Sequence, residues 1–386
     1  MDMISKIGIA GGGQLGKMMI LEAKKMGFYV TILDPSERCP AHSICDEHIV
    51  ADFGDEEALR RLASSSDVVT YEFEHINAQA LLRLESEGFL IYPSAGSLLL
   101  IQDKLKQKMT LQSAGIPTPA FLPADSRQEI EEAASLFGYP LMIKSRFGGY
   151  DGKGNLILAS EDGIDEALYF SKGKKMAEQW VDFKLEASIL ACRGADGRIA
   201  VYPVAENTHI DSILRKTRAP AEISRELTDE AMNIAEKTMH AFQGVGMFCI
   251  ELFITKSNGI LVNEAAPRPH NSGHYTIEAC RTSQFENHIR AVARLPLGDP
   301  SLVSCAVMAN ILGEDGACGP ACASGLDRAL EVPGASVHIY GKEISKPKRK
   351  MGHVTATGAT LAEAESRAAA ASSFLRMTAG ALKMED

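Results

Sequence analysis

Lys144-Ser145-Arg146-Phe147-Gly148-Gly149-Tyr150-Asp151-Gly152-Lys153-Gly154-Asn155 lies between two short apolar runs, residues 141–144 and 155–159. Four of the seven residues from Gly148 to Gly154 are glycine. A hairpin tip needs only one or two glycines for its turn geometry. The surplus predicts a mobile loop whose successive backbone amides face phosphate oxygens. Strand, glycine turn, strand is a hairpin and not the strand-to-helix loop of the other large class of phosphate binders. Lys144 ends the first strand, within reach of the same phosphates. A solvent-exposed hairpin tip is the competing reading of the stretch taken alone.

Two acids follow in apolar surroundings: Glu251 in Ile250-Glu251-Leu252-Phe253, and Glu264 in Val262-Asn263-Glu264-Ala265-Ala266-Pro267-Arg268. Residues 246–254 and 259–264 read as strands joined by a turn at 256–258. Antiparallel neighbours would bring both carboxylates to one end of a sheet. Carboxylates in apolar strands are costly unless paired or metal-bound. Mg²⁺ commonly takes one or two of them together with substrate phosphates. A structural salt bridge is the alternative for either acid alone.

The N-terminal third has a βαβαβ rhythm: strand 6–10, helix 14–26, strand 29–33, helix 56–63, strand 67–71, then a strand at 90–92. That order predicts a parallel sheet over residues 1–102. Gly11-Gly12-Gly13-Gln14-Leu15-Gly16, with Asp34 ending the second strand, satisfies the dinucleotide fingerprint. A helix N-terminus accepts any anion. An NAD pyrophosphate, a sugar phosphate and a bare tight turn all remain open on this segment. A helix over 104–114 stops at Gly115 with Pro117 and Pro119 beyond it. Strands near 337–340 and 353–357 and a helix over 361–375 complete the chain.

The 386 residues predict two or three domains. A net charge of −10 excludes a general nucleic-acid binder, which needs clustered Lys and Arg. Eight cysteines without any Cys-x-x-Cys pair predict reduced thiols and no zinc site. The N-terminus reads as a strand and not as a leader, and no apolar run reaches the roughly 20 residues of a membrane span. Together these predict a cytoplasmic protein without membrane or nucleic-acid partners.

Four motifs, GGGQLGKM (11–18), GGYDGKG (148–154), NEAAPRPHNSGH (263–274) and KPKRKMGH (346–353), resemble the ATP-grasp superfamily. Within it they resemble the 5-(carboxyamino)imidazole ribonucleotide synthetases of purine biosynthesis, over nearly the whole chain. The resemblance implies a Rossmann-like N-terminal parallel sheet (1–102), an ATP-grasp domain of two sheets (103–298, with a lid at about 120–178) and a small β-rich C-terminal domain (299–386), in a homodimer. It also implies Mg²⁺ as cofactor, with ATP, bicarbonate and 5-aminoimidazole ribonucleotide as partners. The implied reaction is ATP-dependent carboxylation of the exocyclic amine through carboxyphosphate.

In that resemblance Lys104, Lys144 and the loop Gly149, Tyr150, Asp151, Gly152, Lys153, Gly154 and Asn155 contact ATP, with Lys104 standing where relatives are expected to carry Arg. Glu178, Gln179, Trp180 and Val181 form the linker that meets adenine through its backbone. Glu186 holds the ribose, and His209 lies beside the nucleotide. Glu251 and Glu264 bind Mg²⁺. Relatives carry Asn where Ala266 stands, so either Asn263 supplies an amide oxygen or one metal is held more loosely. Arg268, His270 and Asn271 bind bicarbonate and carboxyphosphate, a task suited to a guanidinium fork and aimed donors, and His274 orients the second substrate or shuttles a proton. Gln14, Leu15 and either Glu72 or Glu74 face the second substrate. Lys342, Arg349 and Lys350 clamp its phosphate, and Tyr150, Asp151 and Lys153 reach it when the loop closes.

Three rivals remain. A formate-dependent glycinamide ribonucleotide transformylase shares Pro-Arg-Pro-His, but an acidic Asp-Thr-Gly is expected where this chain has Asn271-Ser272-Gly273. A nicotinamide dehydrogenase accounts only for residues 1–35. A non-catalytic nucleotide-binding regulator has no need of both acids, both lysines and the anion-binding trio.

Overall fold

The structure is a computed structural model that describes residues 4–149 and 152–380. Tyr150 and Asp151 lie outside the described residues. The N-terminal sheet is parallel, in the order Glu47–Ile49, Tyr29–Leu33, Lys6–Ala10, Val68–Tyr71. Its strands are apolar almost throughout, as a sheet covered on both faces requires. The expected strand at 90–92 is reduced to a single bridge between Val69 and Ile91.

The central sheet has nine strands. Its order is Ile260–Ala266, Gly246–Thr255, Phe183–Arg193, Ala205–Ile210, Ile213–Ala219, Cys305–Leu312, Lys350–Gly358, Ala335–Ile339, with Ile199–Val201 also on Phe183–Arg193. The C-terminal strands thus extend the same sheet that carries Glu251 and Glu264. A three-stranded sheet of Ile344–Ser345, Gly319–Ser324 and Arg376–Ala379 lies beside them. Helix Arg225–Phe242 packs Ile234, Met239 and Phe242 against Ile189, Phe248, Ile250 and Leu252. Each such side chain, fully buried, stabilises by about 1.5–3 kcal/mol before chain entropy is set against it.

A second antiparallel sheet, Phe121–Pro123, Lys175–Gln179, Leu141–Ser145, Asn155–Leu158, carries the glycine loop between its last two strands. It has its own apolar core, built from Ile130, Ala133, Leu141, Ile143, Leu158, Ile164 and Ala177. All eight cysteines are free. No helix among the described residues is long and apolar enough to cross a membrane.

Candidate active site

Lys144 and Glu178 lie on neighbouring lid strands, with Glu178 opposite Met142, so Lys144 is its diagonal neighbour on the same face. Long side chains span that diagonal. Lys144 Nζ donates to Glu178 Oε1 at 2.7 Å and to Asn263 Oδ1 at 3.1 Å. The Asn263 amide oxygen thus accepts from Lys144 and keeps a second lone pair. Helix Lys104–Ser113 starts at Asp103, whose carboxylate accepts from Leu105 N–H and from both Nε and Nη2 of Arg146. The root of the glycine loop is thereby tied to this helix. Lys104, the first helical residue, forms an ion pair with Glu264.

Glu251 and Glu264 are direct cross-strand partners, beside a register shift that leaves Asn263 of strand Ile260–Ala266 unpaired in the ladder. Like charges in that position destabilise a strand pair. Burial and the charge of Glu264 push the Glu251 carboxyl above the ordinary range. Burial also disfavours the Glu264 carboxylate, but the Lys104 ammonium outweighs it and holds that carboxyl low. Two opposed carboxylates short of cation suit Mg²⁺, which takes its remaining ligands from phosphates and water. No group of three or more His, Cys, Asp or Glu among the described residues is arranged to hold a metal unaided.

His209 Nδ1 lies 2.8 Å from Glu186 Oε2. Burial alone would lower the imidazole, yet the Glu186 hydrogen bond and charge raise it above its ordinary value. Glu178 and Gln179 end the lid strand Lys175–Gln179, and Trp180 and Val181 begin the crossing to strand Phe183–Arg193. The Glu178 side chain is buried, bound to lysines and faces inward. Gly149 and Lys104 approach closely enough that a Cβ on Gly149 would lie 3.8 Å from Lys104 Cε. Gly152 has φ +74°, and a Cβ there would fall 2.2 Å from Ser212 Cβ. The loop thus rests on the turn between strands Ala205–Ile210 and Ile213–Ala219. Lys153 and Asn155 are exposed at its far side.

Past Glu264 the chain turns through Arg268, His270, Asn271 and His274. His270 Nδ1 accepts from the Ser272 amide at 3.3 Å and lies 2.9 Å from Ser272 Oγ. That leaves the proton on Nε2, which faces Glu251 Oε1 at 3.3 Å. Burial, with Arg268 and Lys350 nearby, keeps His270 well below its usual value, so it is a neutral donor. Arg268 Nε pairs with Glu74 Oε1 at 3.0 Å. Asn271 exchanges amide hydrogen bonds with Asn310 at 2.6 and 3.0 Å. Gln284, which sequence reading missed, brackets the loop: its Oε1 accepts from His270 N–H at 2.9 Å, and its Nε2 donates to His270 O at 2.7 Å. His274 is fully buried against Phe285, Tyr340 and His353. Its Nδ1 faces Gln284 Nε2, which also donates to His270 O, at 3.3 Å.

The N-terminal glycine motif is occupied by the protein's own carboxylates. Gly12 N–H donates to Asp34 at 2.9 Å, and Gly13 and Gly16 donate to Glu72 at 2.5 and 2.6 Å. The Glu72 and Asp34 carboxylates thus serve these three amides, and Glu72 supplies negative charge at the helix N-terminus. The Leu15 side chain is buried in the apolar core with Ile32 and Val30, so only its backbone can meet a ligand at this turn. Gln14 is half-buried at the same turn. Of the two glutamates, Glu72 is buried and committed to the helix, and Glu74 reaches the anion loop.

In the C-terminal basic run, Lys342 Nζ donates to Lys350 O at 2.8 Å. Arg349 is exposed, with Nη1 on Ile344 O at 2.7 Å. Lys350 is half-buried, and its charge adds to the burial that lowers His270 and His274.

Residues 109–285 match the ATP-grasp domain, residues 4–102 the ribonucleotide synthetase preATP-grasp domain, and residues 306–367 the phosphoribosylaminoimidazole carboxylase C-terminal domain. The N5-carboxyaminoimidazole ribonucleotide synthase of Staphylococcus haemolyticus is 45% identical over 352 residues, covering 90% of this chain and 91% of that protein. The crystal structure of the Thermotoga maritima synthetase superposes with a TM-score of 0.90 at 46% identity, over 97% of this chain and all of that one. The Aspergillus clavatus synthase, solved with ADP and 5-aminoimidazole ribonucleotide, gives 0.87 at 36% identity, over 94% and 96% of the two chains. An acidic pair beside two lysines, an anion-binding turn behind it and this extent of likeness lead to one conclusion: the chain belongs to the N5-carboxyaminoimidazole ribonucleotide synthase family of ATP-grasp ligases.

Proposed function

We propose that the protein carboxylates the exocyclic amine of 5-aminoimidazole ribonucleotide with bicarbonate, converting ATP to ADP and phosphate, in purine biosynthesis in the cytoplasm. One observation carries the reading: a guanidinium (Arg268) and a neutral imidazole donor (His270 Nε2–H) stand between the nucleotide acids and Glu74 of the N-terminal domain. ATP lies between the lid and central sheets, with its phosphates toward Lys104, Lys144 and the loop 149–155, its adenine along 178–181 and its ribose at Glu186. Mg²⁺ is held by Glu251 and Glu264, and when bound it neutralises charge on the transferring phosphoryl group.

A bicarbonate oxygen attacks the γ-phosphorus, and ADP departs. Arg268 fixes the planar anion, and His270 donates to its developing negative charge; removing one such donor typically costs 10²–10³ in rate. Asn271, held by Asn310, keeps the turn in place. The amine nitrogen then captures the activated carboxyl carbon, phosphate leaves and the nitrogen gives up a proton. Lys342, Arg349 and Lys350 hold the ribonucleotide phosphate, with Gln14 and Glu74 near its sugar and amine. Tyr150, Asp151 and Lys153 meet it from the lid. Water must be excluded because carboxyphosphate hydrolyses readily, which is the physical use of the glycine lid. ADP release measured with 5-aminoimidazole ribonucleotide plus bicarbonate, and separately with glycinamide ribonucleotide plus formate, tests the assignment. Turnover is expected only in the first mixture, and turnover only in the second would contradict it.

A further inference from the structure

Lys108 has no part in the chemistry above, and its burial calls for a reason. It stands one helical turn after Lys104, and its side chain is 3% exposed. Its Nζ donates to Val262 O at 3.1 Å and lies 2.8 Å from Glu178 Oε2. The other oxygen of the same carboxylate, Oε1, takes Lys144 at 2.7 Å. Val262 directly precedes Asn263, the second partner of Lys144. One lysine thus joins helix Lys104–Ser113, the strand Lys175–Gln179 that carries Glu178, and the central-sheet strand bearing Asn263 and Glu264.

A buried ammonium is costly, and packing alone would be served as well by an apolar side chain of the same length. Burial pushes Lys108 down to about 8, against the opposing pull of Glu178. A cation kept at that cost divides a carboxylate that would otherwise belong to Lys144 alone. Lysine has three N–H donors; on Lys144, Glu178 Oε1 and Asn263 Oδ1 take two.

We propose that Lys108 is a positioning residue of the nucleotide site: by occupying one oxygen of Glu178 it confines Lys144 to the other, and so keeps Lys144 extended toward the ATP phosphates. Without Lys108 both carboxylate oxygens turn to Lys144 and draw it back from the nucleotide. The inference rests on the reading of Lys144 as a phosphate contact.

The test is ATP KM, bicarbonate KM and ADP Kd for Lys108→Met, Lys108→Met/Glu178→Gln and Lys144→Met in the full-length protein. Lys108→Met is expected to raise ATP KM and ADP Kd about tenfold, the effect of about 1.4 kcal/mol, with bicarbonate KM unchanged. Removing the Glu178 charge as well is expected to recover most of that loss, a rescue that a packing role would not produce. An ATP KM within twofold of wild type in Lys108→Met, or a double variant no better than the single one, overturns the proposal. Where Lys108→Met does not fold, the double variant decides alone: an ATP KM raised less than about threefold supports the proposal, and a tenfold rise overturns it. If Lys144→Met is impaired while Lys108→Met is not, only the role of Lys108 falls. If Lys144→Met keeps wild-type ATP KM, the phosphate role of Lys144 falls, and this inference with it.

Discussion

Glu251 and Glu264 face each other across two strands, and Lys104 is the ion-pair partner of Glu264. Glu264→Gln is expected to lower ATP turnover by at least about a hundredfold, as loss of transition-state charge stabilisation does, without unfolding the chain. Near-normal turnover would remove Glu264 from the metal site. His209 offers a pH signature. Its folded value is raised by Glu186, so the stability of that pair is complete below the ordinary histidine value of about 6.5 and is lost as pH rises through the higher folded one. Glu186→Gln should therefore lower Tm more at pH 6 than at pH 9. An equal loss at both would contradict the charged pair. At this scale the sequence was legible where chemistry is local: the glycine loop, the two acids and the Arg-Pro-His turn each announce themselves. Lys108 was not, because a lysine in Lys104-Leu105-Lys106-Gln107-Lys108 reads as a solvated helix face. The partner of the N-terminal glycine amides was hidden for a related reason: Glu72 is supplied from the end of a strand some way down the chain.

Among elements, the helix beginning at Asp103 organises the nucleotide side. Its cap binds Arg146, its first residue Glu264, and its next turn Glu178. Asp103→Ala is expected to loosen the root of the lid and let carboxyphosphate escape to water. The measurement is ADP released per carboxylated product, which should rise above one; a ratio still at one would show that the anchor does not govern closure. Gly152 is a position where only glycine fits, from its φ of +74° and the nearness of Ser212. Left-handed backbone costs a residue with a Cβ about 1–2 kcal/mol even before that clash. Gly152→Ala should lower kcat about tenfold or more while ADP Kd stays within about threefold, and unchanged kcat would mean that the loop works away from Ser212. Periodicity located the strands that flank these turns, including Lys6–Ala10 and Leu141–Ser145. It passed over Phe183–Arg193, whose polar start, Lys184 to Glu186, hides a strand central to the sheet.

At the scale of the whole molecule, strands distant in sequence put the site together. Glu264 on one edge of the central sheet and Lys350 toward the other belong to one nine-stranded surface, and Glu74 of the N-terminal domain reaches Arg268 across the junction. Strand order of this kind depends on pairings between distant stretches, such as Lys216 with Ala309, which no local pattern encodes. The central claim is that this surface joins ATP cleavage to carbon–nitrogen bond formation. The most direct measurement follows ¹³C-bicarbonate by NMR during turnover with ATP and 5-aminoimidazole ribonucleotide, alongside ADP. The account predicts one labelled carbamate on the exocyclic amine for each ADP formed. ADP released without label entering the ribonucleotide, or label entering without ATP, would contradict it.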